Sequence, residues 1–556
     1  MFGPNIRVVC EISFLNLYKK LDMNKIISLL VALFAFVNAY SQWASPQIQK
    51  LMYATYAIDH LYVDTVKEST LVDNAIVGML ENLDPHSVYI PVDEVKKMNE
   101  PLEGSFDGIG VQFQMMEDTL LVIQTISGGP SERVGIMAGD RIVSVNDSSI
   151  AGVKMQNTDV MKRLRGPKGT VVNVKILRRG VKNLIDFRIV RDKIPIYSLD
   201  ASYMVTPEIG YIKINRFSAT TSEEYQTAFK KLATAGMKSL ILDLQGNGGG
   251  YLTAAIDLAD EFIDKDKLLL YTEGAAQPRQ TLMSSKTGGF EEGNLVVLID
   301  EGSASASEIV SGALQDWDRA LLIGRRTFGK GLVQKPVTLP DESQIRLTIA
   351  RYYTPTGRCI QRPYNGGIKQ YNRDIIERYN HGELMHEDSI VFPDSLKYKT
   401  FMMRRTVYGG GGIMPDIFVP LDTTKYTEYH RNLVAKGIVN KFVLNYIEKN
   451  RTQIIKEYPK KSEDSFGKFQ TGFVIGDNVL AELVEAGNND SVKYNDEEFK
   501  KSKDIIKLQL KALVARDIWD MSEYYQIMNA DNESYMKAVE VLKDDKKFQK
   551  SIGRNR

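Results

Sequence analysis

The stretch over residues 295–334, LVVLIDEGSASASEIVSGALQDWDRALLIGRRTFGKGLVQ, constrains this chain more than any other. It reads as a buried strand (295–299), a turn of small residues, a helix, a second strand (320–323) and a lysine flanked by glycines. Ser303, Ser305 and Ser307 alternate in the turn, ahead of an apolar helical face of Ile309, Val310, Ala313 and Leu314. A serine on a strand-to-helix turn points its hydroxyl into open space with the N–H groups of the helix start behind it, the arrangement an acyl-transfer nucleophile needs. Small residues also let a strand and a helix pack closely, and on the turn alone that plainer reading is favoured.

A serine hydroxyl is a weak nucleophile unless a neighbouring base takes its proton. The usual base is histidine, but the five here are His60, His86, His381, His386 and His430, with none between His86 and His381. A lysine is the better candidate. Lys330 sits between Gly329 and Gly331 after an apolar strand, and desolvation in such a turn lowers a lysine pKa toward neutrality.

The phrases GSASASEI and TFGKGLVQ together resemble the C-terminal processing peptidases, or tail-specific proteases, which use a Ser-Lys dyad. The resemblance puts the nucleophile on Ser305, the general base on Lys330 and the residue that orients the base on Gln334. The run Gln245-Gly246-Asn247-Gly248-Gly249-Gly250 ends an expected strand (239–244), where α/β sheets place their sites. It lacks the spacing of either nucleotide fingerprint. It resembles the family's Asn-Pro-Gly-Gly turn with Gly248 in place of proline, which implies oxyanion-hole N–H groups from Gly249 and Ala306.

The 556 residues leave room for several domains, and 43% hydrophobic with 25% charged residues is an ordinary globular composition. A net charge of +1 gives no reason to expect a nucleic-acid partner. Met23-Asn24-Lys25, the apolar run 26–37 and Ala39-Tyr40-Ser41 read as a signal peptide cut before Gln42, with residues 1–22 an upstream extension. The apolar run falls short of the roughly 20 residues of a membrane span. Export to the periplasm or cell envelope is expected, with an uncleaved tether as the alternative. Cys10 precedes the cut and leaves Cys359 alone, which excludes an internal disulfide and reads as a small buried residue.

Residues 45–83 are patterned as two helices, stopped by Asp84-Pro85. Leu83-Asp84-Pro85-His86-Ser87 resembles a family motif ahead of the second domain, and His86 is read as structural. From Phe106 the texture changes to short β-like runs between Gly, Pro and Asp turns, and GIGV, GGPSERVGIMAGDRIVSVND and LRGPKGTVV resemble a PDZ domain. Such a domain adds a peptide as an edge strand and holds its terminal carboxylate with loop N–H groups. The implied peptide-binding residues are Gly108, Ile109, Gly110 and Val111; Arg165 is either a further charge contact or a solvated surface residue.

Thr221 with Glu224 is expected to form a capping box at the start of a helix. Residues 361–400 are polar, and His381 and His386 lack both helical spacing and a third ligand, so no metal and no cofactor are expected. Beyond Asp422 the chain turns helical and lysine-rich; whether that region packs on the first helices or mediates homo-oligomerisation is left open. The expectation is a multi-domain α/β protein, an α/β serine peptidase core preceded by a PDZ domain and flanked by helical regions. Its parts are 1–41 signal segment and extension, 42–103 helical, 104–192 PDZ, 193–422 catalytic core and 423–556 helical. The implied activity is an exported serine endopeptidase acting on protein or peptide substrates with free C-termini. The rival is a non-catalytic scaffold, which predicts damage at the dyad where none is visible.

Overall fold

A computed structural model describes residues 45–285, 288–460, 462 and 464–553, so the signal segment lies outside the described residues. The chain divides into two compact units between Leu83 and Asp84. Within the first, helices Pro46–Leu61 and Glu68–Glu81 form as the apolar spacing predicts; Ser45 caps the former by accepting the Ile48 N–H. Leu80 is the one buried apolar residue of these two helices.

The second unit is built on a six-stranded sheet in the order Leu199–Met204, Ile209–Ile214, Ser239–Asp243, Asn294–Ile299, Leu321–Gly324, Ile417–Phe418. Every pairing is parallel except the first. The strands are continuous apolar runs because both faces are covered. On one face, Ile212, Leu242, Val297 and Leu322 pack on helices Thr221–Thr234, Leu252–Asp260 and Ala306–Asp316. On the other, Tyr211, Ile241, Val296 and Ile323 pack on Ala538, Val541, Leu542 and Phe548 from the C-terminal helices Glu533–Leu542 and Asp545–Ser551. The end of the chain thus completes the core of the sheet that carries the serine turn.

The capping box at Thr221 does not form. Thr220 is the N-cap, Thr221 Oγ1 accepts the Ser218 N–H, and Glu224 reaches across to take the N–H groups of Ser198 (2.8 Å) and Leu199 (3.0 Å). The carboxylate found donors on the neighbouring loop, and the helix start became a clamp on the first strand of the core. One further expectation is corrected: Cys359 is only half-buried. The polar stretch after residue 361 contains helix Gly367–Asn380, whose Tyr371 and Arg378 are buried.

A second sheet pairs Gln344–Tyr353 with Val88–Ile90, Leu268–Gly274 and Leu332–Thr338, and Gln277–Met283 extends it. The PDZ-like sheet runs Val111–Met116, Thr119–Thr125, Arg141–Val145, Val171–Leu177, Ile185–Val190 around its own apolar core. Val111–Met116 is an edge strand of this sheet. Helices Glu428–Ala435 through Met521–Met528 enclose a further core. One of them, Ile438–Glu457, touches the PDZ-like sheet through Leu444 against Met116 and Leu121 and through Glu448 paired with Arg141 at 3.1 Å.

Candidate active site

Strands Ser239–Asp243 and Asn294–Ile299 run side by side, Asp243 opposite Leu298, so the loops leaving their carboxyl ends emerge together. One is the glycine run and the other the serine turn. Asn247 joins them: its carbonyl accepts the Ala304 N–H (2.9 Å) and the Ser307 hydroxyl (2.8 Å). Its side-chain Nδ2 donates to Ile214 O (2.9 Å) and its Oδ1 accepts the Gly249 N–H (2.9 Å).

The structure separates the three serines. Ser303 and Ser307 are fully buried and donate their hydroxyls to backbone carbonyls of Leu244 and Asn247, each at 2.8 Å. Ser305 is half-buried and its hydroxyl is donated to no acceptor among the described residues. Its backbone is held at φ 54°, ψ −111°, a conformation a non-glycine residue adopts only when its surroundings impose it. The constraint comes from Tyr352, whose hydroxyl donates to Ser305 O at 3.1 Å, and from Glu308, which takes the Ser305 N–H at 2.9 Å.

Glu308 is fully buried and accepts four hydrogen bonds: from Ser305 N–H, Thr327 Oγ1, Gly329 N–H (2.7 Å) and Lys330 N–H (2.8 Å). Burial pushes its carboxyl pKa up, while the four donors favour the carboxylate. It staples the serine turn to the lysine loop. Nothing in the reading of the sequence singled it out, although Ser305-x-x-Glu308 is a capping-box spacing that could have done so.

Lys330 is half-buried, and Nζ donates to Gln334 Oε1 at 2.9 Å; no hydrogen bond joins it to Ser305. Burial lowers its pKa and the positive charge of Arg346 lowers it further, against opposing pulls from Asp84 and Glu308. The flanking glycines serve close approach: a Cβ on Gly331 would lie 2.8 Å from Gln361 N. Gln334 stands next to a bulge in its strand at Val333/Gln334, a device that re-aims a side chain. Its Nε2 donates to the carbonyl of His86.

His86, 248 residues from Gln334 in sequence, is therefore at the site. Its ring hydrogen-bonds Tyr371 Oη at 2.8 Å, and burial together with the charge of Lys330 drops its pKa to about 4. The ring packs against Phe328 and Tyr371, while its backbone carbonyl is linked through Gln334 to Lys330.

Gly249 packs against the serine turn. A Cβ there would lie 2.8 Å from Ser305 Cβ and 3.0 Å from Ala306 N, and φ is +99°, so only glycine fits. Its N–H is committed to Asn247 Oδ1, whereas the Ala306 N–H meets no acceptor among the described residues. At the PDZ-like loop, Ile109 O accepts both the N–H and the hydroxyl of Ser131, and Gly110 O accepts the Ile126 N–H. The N–H groups of Ile109 and Gly110 meet no protein acceptor among the described residues. Arg165 lies over the Phe106 ring and donates to the buried Glu100 at 2.6 Å, so its guanidinium is already engaged. Among the described residues no cluster of histidine, cysteine and acidic side chains is arranged to hold a metal ion.

The strained serine turn and the lysine loop, joined through Glu308, form the candidate active site of a serine-class peptidase. Comparison with known proteins agrees. Residues 208–370 match the model of peptidase family S41 and 108–189 that of a PDZ domain. Residues 34–94 match the activating protease CtpB N-terminal domain, and 429–520 match a family of unknown function, DUF8443. The carboxy-terminal-processing protease of Bartonella bacilliformis is 38% identical over 305 residues, 54% of this chain and 69% of that one. Carboxy-terminal processing protease CtpA of Bacillus subtilis is 37% identical over 324 residues (58% and 68%) and CtpB 34% over 345 (62% and 71%). The chain belongs to the carboxy-terminal processing protease family and is a serine peptidase carrying a PDZ domain.

Proposed function

We propose that this protein is an exported endopeptidase that captures protein C-terminal tails on its PDZ domain and cleaves near the tail by a Ser-Lys mechanism. Ser305 Oγ attacks the scissile carbonyl carbon while the neutral Lys330 amine takes the hydroxyl proton. The tetrahedral oxyanion is met by the Ala306 N–H, joined by the Gly249 N–H when Asn247 Oδ1 releases it. Collapse breaks the C–N bond, and Lys330 passes its proton to the departing amine. A water, deprotonated by the same lysine, then hydrolyses the acyl-enzyme.

The observation that carries this reading is the selection among the serines: two hydroxyls are donated to backbone carbonyls, and the third, on a strained turn stapled to the lysine loop, is donated to none among the described residues. Tail capture is supported by the free N–H groups of Ile109 and Gly110 beside the edge strand Val111–Met116, which suit a terminal carboxylate and an added strand. Export to the periplasm or cell envelope rests on residues 23–41. Incubating a peptide that has a free apolar C-terminus with wild type, Ser305→Ala and Lys330→Ala, and weighing the products by mass spectrometry, tests the activity. Fragments from wild type alone support it; fragments from either variant contradict it.

A further inference from the structure

A lysine base works only if its lone pair faces the serine, so the group that takes its N–H must present an oxygen. A glutamine amide is nearly symmetric in shape, and which end faces Lys330 depends on what holds the other end. Gln334 Nε2 donates to His86 O, which leaves Oε1 for Lys330 Nζ at 2.9 Å.

The His86 carbonyl is itself fixed. Asp84 Oδ1 accepts the N–H groups of His86 (2.8 Å) and Ser87 (2.9 Å), and Oδ2 takes the Ser87 hydroxyl (2.6 Å). The same two side chains grip the strand opposite Gln334. Thr348 N–H donates to Ser87 Oγ and Thr348 Oγ1 to Asp84 Oδ1, both at 3.1 Å. Thr348 is the cross-strand partner of Gln334, so the turn, the glutamine and the opposing strand close into one ring of hydrogen bonds. Asp84 and Ser87 are both buried, which makes each missing partner costly.

We propose that Asp84 and Ser87 are positioning residues for the general base: they fix the His86 carbonyl, which sets the Gln334 amide, which aims Lys330. This rests on Lys330 being the base. A plainer role, stopping the preceding helix and seating strand Val88–Ile90, would alter stability without altering the titration of the active enzyme.

The charged and titratable groups facing Lys330 are Arg346, Asp84, Glu308 and the neutral His86, with Arg362 beyond His86. Asp84 raises the lysine pKa and Arg346 lowers it, so removing the Asp84 charge moves the alkaline-rising limb of activity to lower pH.

The test is kcat, KM and the pH profile of Asp84→Asn and Ser87→Ala on an internally quenched peptide with a free apolar C-terminus. Both variants are expected to lose kcat by on the order of 10- to 10²-fold with KM little changed. The limb should move to lower pH in Asp84→Asn and stay in place in Ser87→Ala. Folded variants with wild-type kcat and an unmoved limb overturn the proposal. If neither folds, Thr348→Val, which removes one hydroxyl from the ring, must still lower kcat, and wild-type kcat there overturns it as well. Activity surviving in Lys330→Ala would instead sink the assignment of the base, so the two failures are distinct.

Discussion

One oxygen of Glu308 accepts the backbone N–H of Ser305 at 2.9 Å and that of Lys330 at 2.8 Å. Ser305 and Lys330, the proposed nucleophile and base, therefore sit on two loops that share a single buried anchor, and no direct hydrogen bond joins them. Replacing Glu308 with Gln keeps the volume but turns an acceptor into a donor facing N–H groups. Thermal or denaturant unfolding should show a loss of about 2–4 kcal/mol. Single-turnover cleavage should slow further than the stability loss explains.

The depressed pKa of Lys330 predicts where activity rises with pH. A base must be neutral to accept the Ser305 proton, so cleavage increases as pH climbs through the lysine pKa. Burial and Arg346 lower that pKa, which places the limb below the usual lysine range. A kcat/KM profile that keeps climbing through the ordinary lysine range would show that Lys330 titrates like a solvated side chain.

Gly249→Ala should cripple cleavage and lower the unfolding midpoint. The new methyl would meet Ser305 Cβ at 2.8 Å on a backbone at φ +99°. Either the glycine turn or the serine turn must shift, and displaced oxyanion donors cost on the order of 10²-fold or more in kcat. Near wild-type turnover with an unchanged unfolding midpoint would contradict the arrangement of these two loops.

The proposed tail capture by the PDZ domain predicts that the substrate carboxylate is a binding group. Fluorescence anisotropy of a labelled peptide should show clear loss of binding when its C-terminus is amidated, because the N–H groups of Ile109 and Gly110 then face a neutral amide. Equal binding of acid and amide would remove the carboxylate from the recognition.

Much of this layout was legible in the sequence for a local reason: apolar runs such as 295–299, too short for a typical helix and bounded by turn residues, read as buried strands, and the structure buries 295–299 in the central sheet. The serine turn and the glycine run were found because each ends such a strand. What escaped was non-local or ambiguous in chemistry. Glu308 reads as an ordinary first-turn acid until its three distant donors are in place. Glu224 reads as a capping-box partner, yet the donors at Ser198 and Leu199 won it. The contact between His86 and Gln334 spans 248 residues, which no period or spacing can announce. The C-terminal residues Ala538, Val541 and Leu542 line the outer face of the central sheet, a packing that the sequence reading did not propose.

The most direct measurement is covalent capture of the nucleophile. A β-lactone acylates an activated serine by ring opening, and the adduct stays attached for peptide-mapping mass spectrometry. Wild type should carry the acyl group on Ser305 and on neither Ser303 nor Ser307, and Lys330→Ala should remain unlabelled. An adduct on another residue, or equal labelling of Ser305 without Lys330, would contradict the dyad.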